Sequence, residues 1–254
     1  MRATEQAAIA SGKLRGCNDK NKADDAAVNA MRQVFDSIPV HARVAIGEGE
    51  MDKAPMLYIG EKVGIGGPKV DIALDPLEGT TITAKGGENA LSVLAMAEQG
   101  GFLHSPDIYM HKIAYGKKYE SLDIDPESPS DEIVKNFAKY SGIKIENIVV
   151  CILDRPRHKE LINKVRSIGA RIKLIPDGDV SAVIATSFED SGVDIYMGIG
   201  GSPEGVLAAA ALRCIGGKIY TKLIFDNDKQ IERAKLMGIS DPKMVNFSVN
   251  VRVI

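Results

Sequence analysis

The stretch Val70-Asp71-Ile72-Ala73-Leu74-Asp75-Pro76-Leu77-Glu78-Gly79-Thr80 indicates the class of fold. Its first five residues form a short apolar run that ends at an Asp-Pro pair, as buried strands of α/β proteins do. A second apolar run, Val44-Ala45-Ile46, ends at Gly47. The region Ala23–Ile38 precedes both runs and repeats apolar residues at three- and four-residue steps, which predicts an amphipathic helix. Helices alternating with strands predict an α/β protein.

Further helices and strands are predicted on both sides of this stretch. Thr4–Leu14 is Ala-rich and predicts a short helix. Ala90–Ala97 is predicted as a strand, although its length and alanines leave a helix open. Ser128–Asp131 is predicted to supply a Ser or Asp cap for a helix that continues to about Tyr140. The remaining predictions are strands at Asn147–Leu153, Arg171–Ile175, Val193–Met197 and Val245–Ile254, helices at Pro156–Ile168, Val206–Cys214 and Asn227–Leu236, and a glycine-rich turn at Gly198–Gly205.

Composition and charge exclude several classes of protein. The 254 residues include 32 Lys and Arg against 34 Asp and Glu, so the basic excess of a nucleic-acid-binding protein is absent. No apolar run approaches the roughly 20 residues of a membrane helix, and Met1–Lys13 lacks the apolar core of a signal peptide. The three cysteines are far apart in sequence, which argues against a disulfide framework or a zinc ribbon. We therefore expect a globular, cytoplasmic protein that binds neither nucleic acid nor membrane.

Acidic residues follow four of the predicted strands. They lie in Gly47–Glu50, Asp75–Thr80, Pro176–Asp179 and Gly200–Gly205. Because ligand sites of open α/β sheets lie beyond the carboxyl ends of strands, four such turns are expected to converge on one crevice. Gathered carboxylates repel one another unless cations neutralise them, and oxygen ligands favour Mg²⁺ or Mn²⁺ over zinc. Each motif alone is compatible with an ordinary turn, so only their coincidence favours a metal site.

Two further segments carry groups that bind phosphate. Backbone N–H groups at Gly79 and Thr80 can hold phosphate oxygens, more so if a helix begins there. Arg155-Pro156-Arg157-His158 opens a predicted helix with two guanidinium groups suited to phosphate, although a solvated helix start is the commoner role of a single arginine. The glycine-rich turn does not match the dinucleotide motif, because Pro203 occupies the position of the third glycine.

Several long motifs resemble those of the class II fructose-1,6-bisphosphatases of bacteria, within the lithium-sensitive sugar phosphatases. They occur in the family's order, over about residues 2–240. The resemblance implies an α/β protein with the layered α/β/α/β/α sugar-phosphatase fold and mixed sheets. The motifs are Asp19–Ala27, Ile46–Lys62, Asp75–Thr80, Ser105–Met110, Arg155–His158, Pro176–Val180 and Gly200–Val206.

The resemblance also implies a set of site residues. The implied metal ligands are Asp24, Glu48, Asp75, Glu78 and Glu204. The implied substrate-binding residues are Glu78, Gly79, Thr80, Tyr109, Arg155, Pro156, Arg157, Asp177, Gly178, Asp179 and Gly201. The implied catalytic residues are Thr80, Asp24, Lys20 and Asp52. Thr80, hydrogen-bonded to an acid such as Asp24, would orient the attacking water.

The activity that the resemblance implies is hydrolysis of the 1-phosphate of fructose 1,6-bisphosphate to fructose 6-phosphate and phosphate, in gluconeogenesis. Two or more divalent ions, Mn²⁺ or Mg²⁺, would stabilise the transferred phosphate. One alternative is a phosphatase for sedoheptulose 1,7-bisphosphate or an inositol phosphate. A second alternative is a truncated homologue that binds sugar phosphate without hydrolysing it. We expect a homo-oligomer.

The sequence departs from the family pattern at a few positions. Cys17-Asn18 interrupts the Gly-Arg-Gly that usually precedes the first motif, and His111 stands where an acidic residue is usual. Family members continue for several tens of residues past the position of Ile254, so the C-terminal lobe is expected to be truncated. We predict two lobes that form one catalytic unit, with most metal ligands in residues 1–125 and the substrate-binding residues in 126–254.

Overall fold

The computed structural model describes residues 1–49, 55–239, 241 and 246–247. Of these, residues 1–107 belong to one compact unit and the others to a second. The strand Tyr109–Gly116 belongs to the second unit, because it pairs with strands much later in the chain. The predicted division into lobes of residues 1–125 and 126–254 stays a prediction. The assignment of metal ligands to one lobe and substrate-binding residues to the other stays a prediction.

The first unit contains a four-stranded mixed sheet and three helices in its described part. The strand order is β2-β1-β3-β4, in which β1 and β3 are parallel and the two outer strands are antiparallel to their neighbours. The alanine-rich faces of α1 and α2 pack with β1 and β3 in one apolar core. The elements are α1 (Arg2–Gly12), α2 (Lys20–Phe35), β1 (His41–Ile46), β2 (Lys62–Val63), β3 (Lys69–Glu78), α3 (Thr80–Ala84) and β4 (Leu91–Glu98).

The second unit contains a six-stranded mixed sheet. The strand order is β10-β9-β5-β8-β6-β7, with β6 parallel to β7 and β8, and β5 antiparallel to β8 and β9. A separate apolar core, which includes Tyr115, Phe137 and Met197, supports it. The elements are β5 (Tyr109–Gly116), α4 (Ser130–Ser141), β6 (Val149–Leu153), α5 (Lys159–Ser167), β7 (Arg171–Ile175), α6 (Asp179–Ala185), β8 (Ile195–Gly201), α7 (Ser202–Ile215), β9 (Gly217–Leu223), α8 (Asp228–Leu236) and β10 (Asn246–Phe247).

The α/β class with mixed sheets is confirmed, and so are most of the predicted elements. The segment left open between strand and helix is the strand β4, because it pairs with β3 along its length. Of the predicted terminal strand, the structure describes only β10, and the rest of Val245–Ile254 lies outside the described residues. Cys151 is buried in β6, as predicted, and all three cysteines are free thiols. No helix of the described segments is both long and apolar enough to cross a membrane.

Two predicted turns are wrong because strand pairing extends further than the apolar runs suggest. The glycines of the predicted turn Gly198–Gly205 are divided between two elements: β8 continues through Gly201 while paired with β5, and α7 begins at Ser202. Asp75 and Glu78 do not follow β3 but form its last residues, because pairing with β4 continues to Glu78.

Two predicted helix starts also differ from the structure. The residue before α4 is Pro129, whose side chain has no hydrogen-bonding group, so the predicted Ser or Asp cap is absent there. The predicted helix Pro156–Ile168 begins as a short 3-10 turn, Pro156–His158, before α5.

Candidate active site

Three of the predicted carboxylates lie at one end of the first unit's sheet. β1 and β3 are parallel and pair Ile46 with Ala73. Glu48 is two residues beyond Ile46, and Asp75 is two residues beyond Ala73, so the two lie at similar heights past the paired strands. Between Asp75 and Glu78 the pairing with β4 shifts register. Such β-bulges redirect side chains and are frequent beside active sites.

The segment that joins α1 to α2 is hydrogen-bonded to α3. These bonds place the start of α2 beside α3, which begins at Thr80. The N–H of Gly16 donates to the Thr83 carbonyl at 2.9 Å, and the N–H of Asn18 donates to the Ala84 carbonyl at 2.8 Å. The Asp19 carboxylate then caps α2 by accepting from the Lys22 N–H at 3.0 Å. Lys20, a predicted catalytic residue, is the exposed first residue of α2.

Asp24 of α2 and Glu48 after β1 form an electrostatically coupled pair of carboxyl groups. Burial and then the negative charge of Asp24 raise the pKa of Glu48 to about 7. Burial and then the charge of Asp25 raise the pKa of Asp24. Two half-buried acids, one of which raises the pKa of the other, are costly to ionise together, and a divalent cation is the natural group to neutralise them.

The donor chemistry of the predicted ligand set fits a hard divalent ion, because the set contains only carboxylates. The structure brings Asp24 and Glu48 together and places Asp75 and Glu78 in the same unit. Within residues 1–49, 55–239, 241 and 246–247 it assembles no group of three or more His, Cys, Asp or Glu side chains that could hold a metal ion. The complete five-residue ligand set therefore stays a prediction. Asp52, a predicted catalytic residue, lies outside the described residues.

The turn from β3 into α3 gives Thr80 a defined position. The Asp75 carboxylate accepts a hydrogen bond from the Leu77 N–H at 3.0 Å, which holds the end of the strand. Gly79 has a φ of +96°, a conformation that a side chain rarely adopts, and α3 begins at the next residue. Glu78 is buried, and Thr80 is half-buried.

In the second unit, Arg155 forms a hydrogen bond to Pro176 and an ion pair with Asp177. Its Nη1 donates to the carbonyls of Pro176 and, at 3.1 Å, of Asp154. Its Nη2 lies 3.8 Å from Asp177 Oδ1. The same Asp177 carboxylate accepts from the Gly178 N–H at 3.2 Å. The structure therefore brings together three of the predicted substrate-binding residues, Arg155, Asp177 and Gly178.

Arg157 and Tyr109, two further predicted substrate-binding residues, are stacked on each other. The guanidinium carbon of Arg157 lies 4.7 Å from the centroid of the Tyr109 ring, a cation–π contact. Arg157 Nε and Nη2 both donate to the Ile199 carbonyl, at 3.1 and 2.7 Å. Pro156, between the two arginines, is exposed at the start of the 3-10 turn.

The carboxylate of Asp179 interacts with two buried side chains, Lys112 and Tyr196. Its Oδ2 lies 2.6 Å from Nζ of Lys112, whose side chain is 0% exposed, and accepts from the Tyr196 hydroxyl at 3.4 Å. Burial, and then the charge of Asp179, raise the pKa of Tyr196 well above its ordinary value. The sequence analysis did not identify Lys112. The one feature that could have indicated it is that this lysine alternates with Met110 and Ala114, and so shares their apolar face of the strand.

Gly201, a predicted substrate-binding residue, leaves space for the side chain of Glu204. A Cβ on Gly201 would lie 2.0 Å from Glu204 Oε2 and 2.8 Å from Glu204 Cδ. The predicted metal ligand Glu204 therefore folds back over the backbone of Gly201, from the first turn of α7. A side chain at residue 201 displaces that carboxylate.

We expect Gly201→Ala to lower turnover of the sugar bisphosphate that the family resemblance implies by about 100-fold, because a misplacement of about 1 Å in a group of the reaction site can have that effect. The fold survives, since the displaced atoms belong to the end of a glutamate side chain. The measurement is kcat at saturating metal and substrate. Gly12→Ala is the matched control, because nothing lies within 4 Å of its new Cβ. Equal turnover by the two variants would show that the placement of Glu204 is irrelevant.

Comparison with known proteins gives the class of this chain. Residues 1–250 match the family described as bacterial fructose-1,6-bisphosphatase, glpX-encoded. A D-fructose 1,6-bisphosphatase class 2/sedoheptulose 1,7-bisphosphatase of Synechococcus sp. (strain RCC307) is 44% identical over 259 residues, which cover 96% of this chain and 77% of the relative. The relative of the same description from Synechocystis sp. (strain ATCC 27184 / PCC 6803 / Kazusa) is 43% identical over 95% of this chain and 77% of its own.

A bacterial relative outside the cyanobacteria is equally similar. The fructose-1,6-bisphosphatase 1 class 2 of Escherichia coli (strain K12) is 44% identical over 260 residues, with 97% of this chain and 77% of the relative covered. These matches define an enzyme, a phosphatase of carbohydrate metabolism. The chain belongs to the bacterial fructose-1,6-bisphosphatase family. The resemblance seen in its motifs is thereby confirmed.

Proposed function

We propose that this chain hydrolyses the 1-phosphate of fructose 1,6-bisphosphate to give fructose 6-phosphate and phosphate, and that it serves gluconeogenesis. Family membership over residues 1–250 supports a sugar-bisphosphate substrate. The structural observation that carries the proposal is that the half-buried Glu48 lies within reach of the charge of Asp24, which helps to raise its pKa. This pair lies in the unit whose sheet also ends in Asp75 and Glu78.

We propose that Mg²⁺ or Mn²⁺ ions are held by Asp24, Glu48, Asp75, Glu78 and Glu204. Such ions supply Lewis-acid stabilisation of the charge on the phosphoryl and leaving oxygens. Thr80, hydrogen-bonded to Asp24, orients the attacking water. Lys20 and Asp52 are proposed as further catalytic residues. The hydrogen bonds between the α1–α2 segment and α3 support the proposed hydrogen bond between Asp24 and Thr80.

The substrate's other phosphate is assigned to the second unit. Arg155 and Arg157 present fork-shaped donors that match phosphate oxygens, and Tyr109 supports Arg157 from its ring face. Holding the remote phosphate aligns the reacting one, so that this binding energy serves the chemical step. The remaining substrate contacts are proposed at Glu78, Gly79, Pro156, Asp177, Gly178, Asp179 and Gly201.

We also propose a cytoplasmic location and a homo-oligomeric state. The three free thiols, two of them exposed, support a reducing compartment. The proposed partners are the sugar bisphosphate and copies of the same chain, with no nucleic acid and no membrane.

Sedoheptulose 1,7-bisphosphate is a second candidate substrate, favoured by the double names of the cyanobacterial relatives. The experiment is phosphate release from each bisphosphate, and from an inositol monophosphate, under one set of metal concentrations. We expect the highest kcat/KM with fructose 1,6-bisphosphate and none above background with the inositol phosphate. A higher kcat/KM with sedoheptulose 1,7-bisphosphate would reverse the assignment, and hydrolysis of the inositol phosphate alone would overturn it.

A further inference from the structure

The strand β8 extends beyond its neighbour β6, and two side chains take the place of the absent strand. β6 pairs with β8 only at Val150 with Ile195 and at Cys151 with Tyr196. Further along β8, the N–H of Ile199 donates to Nε2 of His158 at 2.8 Å, and the carbonyl of Ile199 accepts from Arg157. Consecutive residues of the 3-10 turn therefore satisfy both backbone polar atoms of Ile199.

His158 connects this turn to two strands. Its Nδ1 lies 2.7 Å from the Leu153 carbonyl at the end of β6, and its side chain is buried. Because Nε2 accepts from an N–H, the proton lies on Nδ1 and is donated to Leu153, so the ring is neutral. Burial lowers the pKa of His158, and the charges of Arg157 and Arg155 lower it further.

The imidazole ring of His158 packs closely against the backbone of β8. A Cβ on Gly198 would lie 3.2 Å from both Cε1 and Nε2 of His158, so the backbone of β8 packs directly against the ring. The ring is thus fixed by two hydrogen bonds and by contact with the strand. The residue before it, Arg157, is held by the same backbone position that holds His158.

We propose that His158 is a positioning residue for Arg157. By bonding Leu153 and Ile199 it holds the 3-10 turn against β8, and so fixes the guanidinium that stacks on Tyr109. This inference rests on the proposed function, in which Arg157 binds the substrate's remote phosphate.

The test compares two substitutions of similar size, one that removes both hydrogen bonds of His158 and one that keeps an acceptor for the Ile199 N–H. His158→Phe removes both bonds and leaves the Ile199 N–H unsatisfied, whereas His158→Gln keeps an acceptor near the position of Nε2. We expect His158→Phe to raise the KM for fructose 1,6-bisphosphate by about tenfold or more, and His158→Gln to recover most of this loss. Activity on fructose 1-phosphate, which lacks the remote phosphate, stays unchanged in both variants.

A double-mutant cycle connects the effect to Arg157. We expect His158→Phe to change KM little in an Arg157→Gln background, because the group that it positions is already gone. An additive effect, or an equal loss on fructose 1-phosphate, would overturn the inference. If His158→Phe does not fold, His158→Asn carries the same expectation, since it keeps the donor near Nδ1 but has no acceptor near Nε2.

Binding of fructose 6-phosphate, measured by calorimetry, separates this inference from the proposed function. The inference predicts that His158→Phe binds this product about tenfold more weakly than the unaltered chain. Equal affinities would overturn it even if hydrolysis proceeds normally. Binding that depends on His158, in a chain that hydrolyses no bisphosphate, would support it and overturn the proposed activity alone.

Discussion

Lys112→Met lowers the free energy of unfolding by about 3–5 kcal/mol, the usual cost of removing one partner from a buried ion pair. Lys112 is fully buried, and Asp179 is its partner at 2.6 Å. Methionine fills the same space but removes the charge that neutralises the carboxylate, and the Tyr196 hydroxyl, 3.4 Å away, carries no positive charge. Urea denaturation at pH 7, monitored by circular dichroism, measures the change as a shift of the midpoint.

The control for this prediction is Lys118→Met, the same substitution in an ion pair at the surface. Lys118 and Glu189 are 3.6 Å apart, with side chains 64% and 81% exposed, so we expect no measurable change in stability. Adding Asp179→Asn to Lys112→Met restores part of the lost stability, because the buried negative charge is then removed. Unchanged stability in Lys112→Met would contradict the assignment of this pair as a buried anchor.

Thr80→Val lowers kcat by about 100-fold or more, the range typical of a lost general acid–base or water-orienting contact. The substitution keeps the shape of the side chain and removes only the hydroxyl that is proposed to orient the water. KM changes little, because the proposed metal ligands and the proposed phosphate-binding arginines are intact. Steady-state kinetics at saturating metal separates the two parameters.

Thr81→Val is the matched control for Thr80→Val. Both threonines are half-buried in α3, and both changes have the same effect on helix propensity. Only Thr80 has a proposed role in the chemical step, so Thr81→Val is expected to retain activity close to that of the unaltered chain. Equal losses in the two variants would assign the effect to the helix and not to the hydroxyl.

Strands with continuous apolar runs could be predicted from the sequence, whereas those whose burial depends on distant partners could not. Val149–Leu153, an uninterrupted apolar run, forms β6 and lies within the predicted strand Asn147–Leu153. β5 was not predicted, because it contains His111 and Lys112, and the lysine is accommodated only by Asp179, 67 residues later. α3 and α6 are five and seven residues long, too short to show helical periodicity.

Residue types at the site could be predicted, but their contacts could not. The acidic motifs after strands pointed to a cation site, and the family resemblance supplied individual residues. Nothing local indicated that Asp179 would be bonded to Lys112, or that His158 would replace a strand partner of Ile199. Both contacts join segments more than 40 residues apart, and strand order, which periodicity does not give, brings them together.

Phosphate release from fructose 1,6-bisphosphate by the 254-residue chain, with Mn²⁺, with Mg²⁺ and with EDTA, tests the central claim most directly. We predict release that requires a divalent ion and is lost in Glu204→Gln. The matched variant Glu189→Gln, at a surface glutamate, is predicted to retain it. Release that persists in EDTA, or that is undiminished in Glu204→Gln, would contradict the account. A folded chain that releases no phosphate with either ion would contradict it as well.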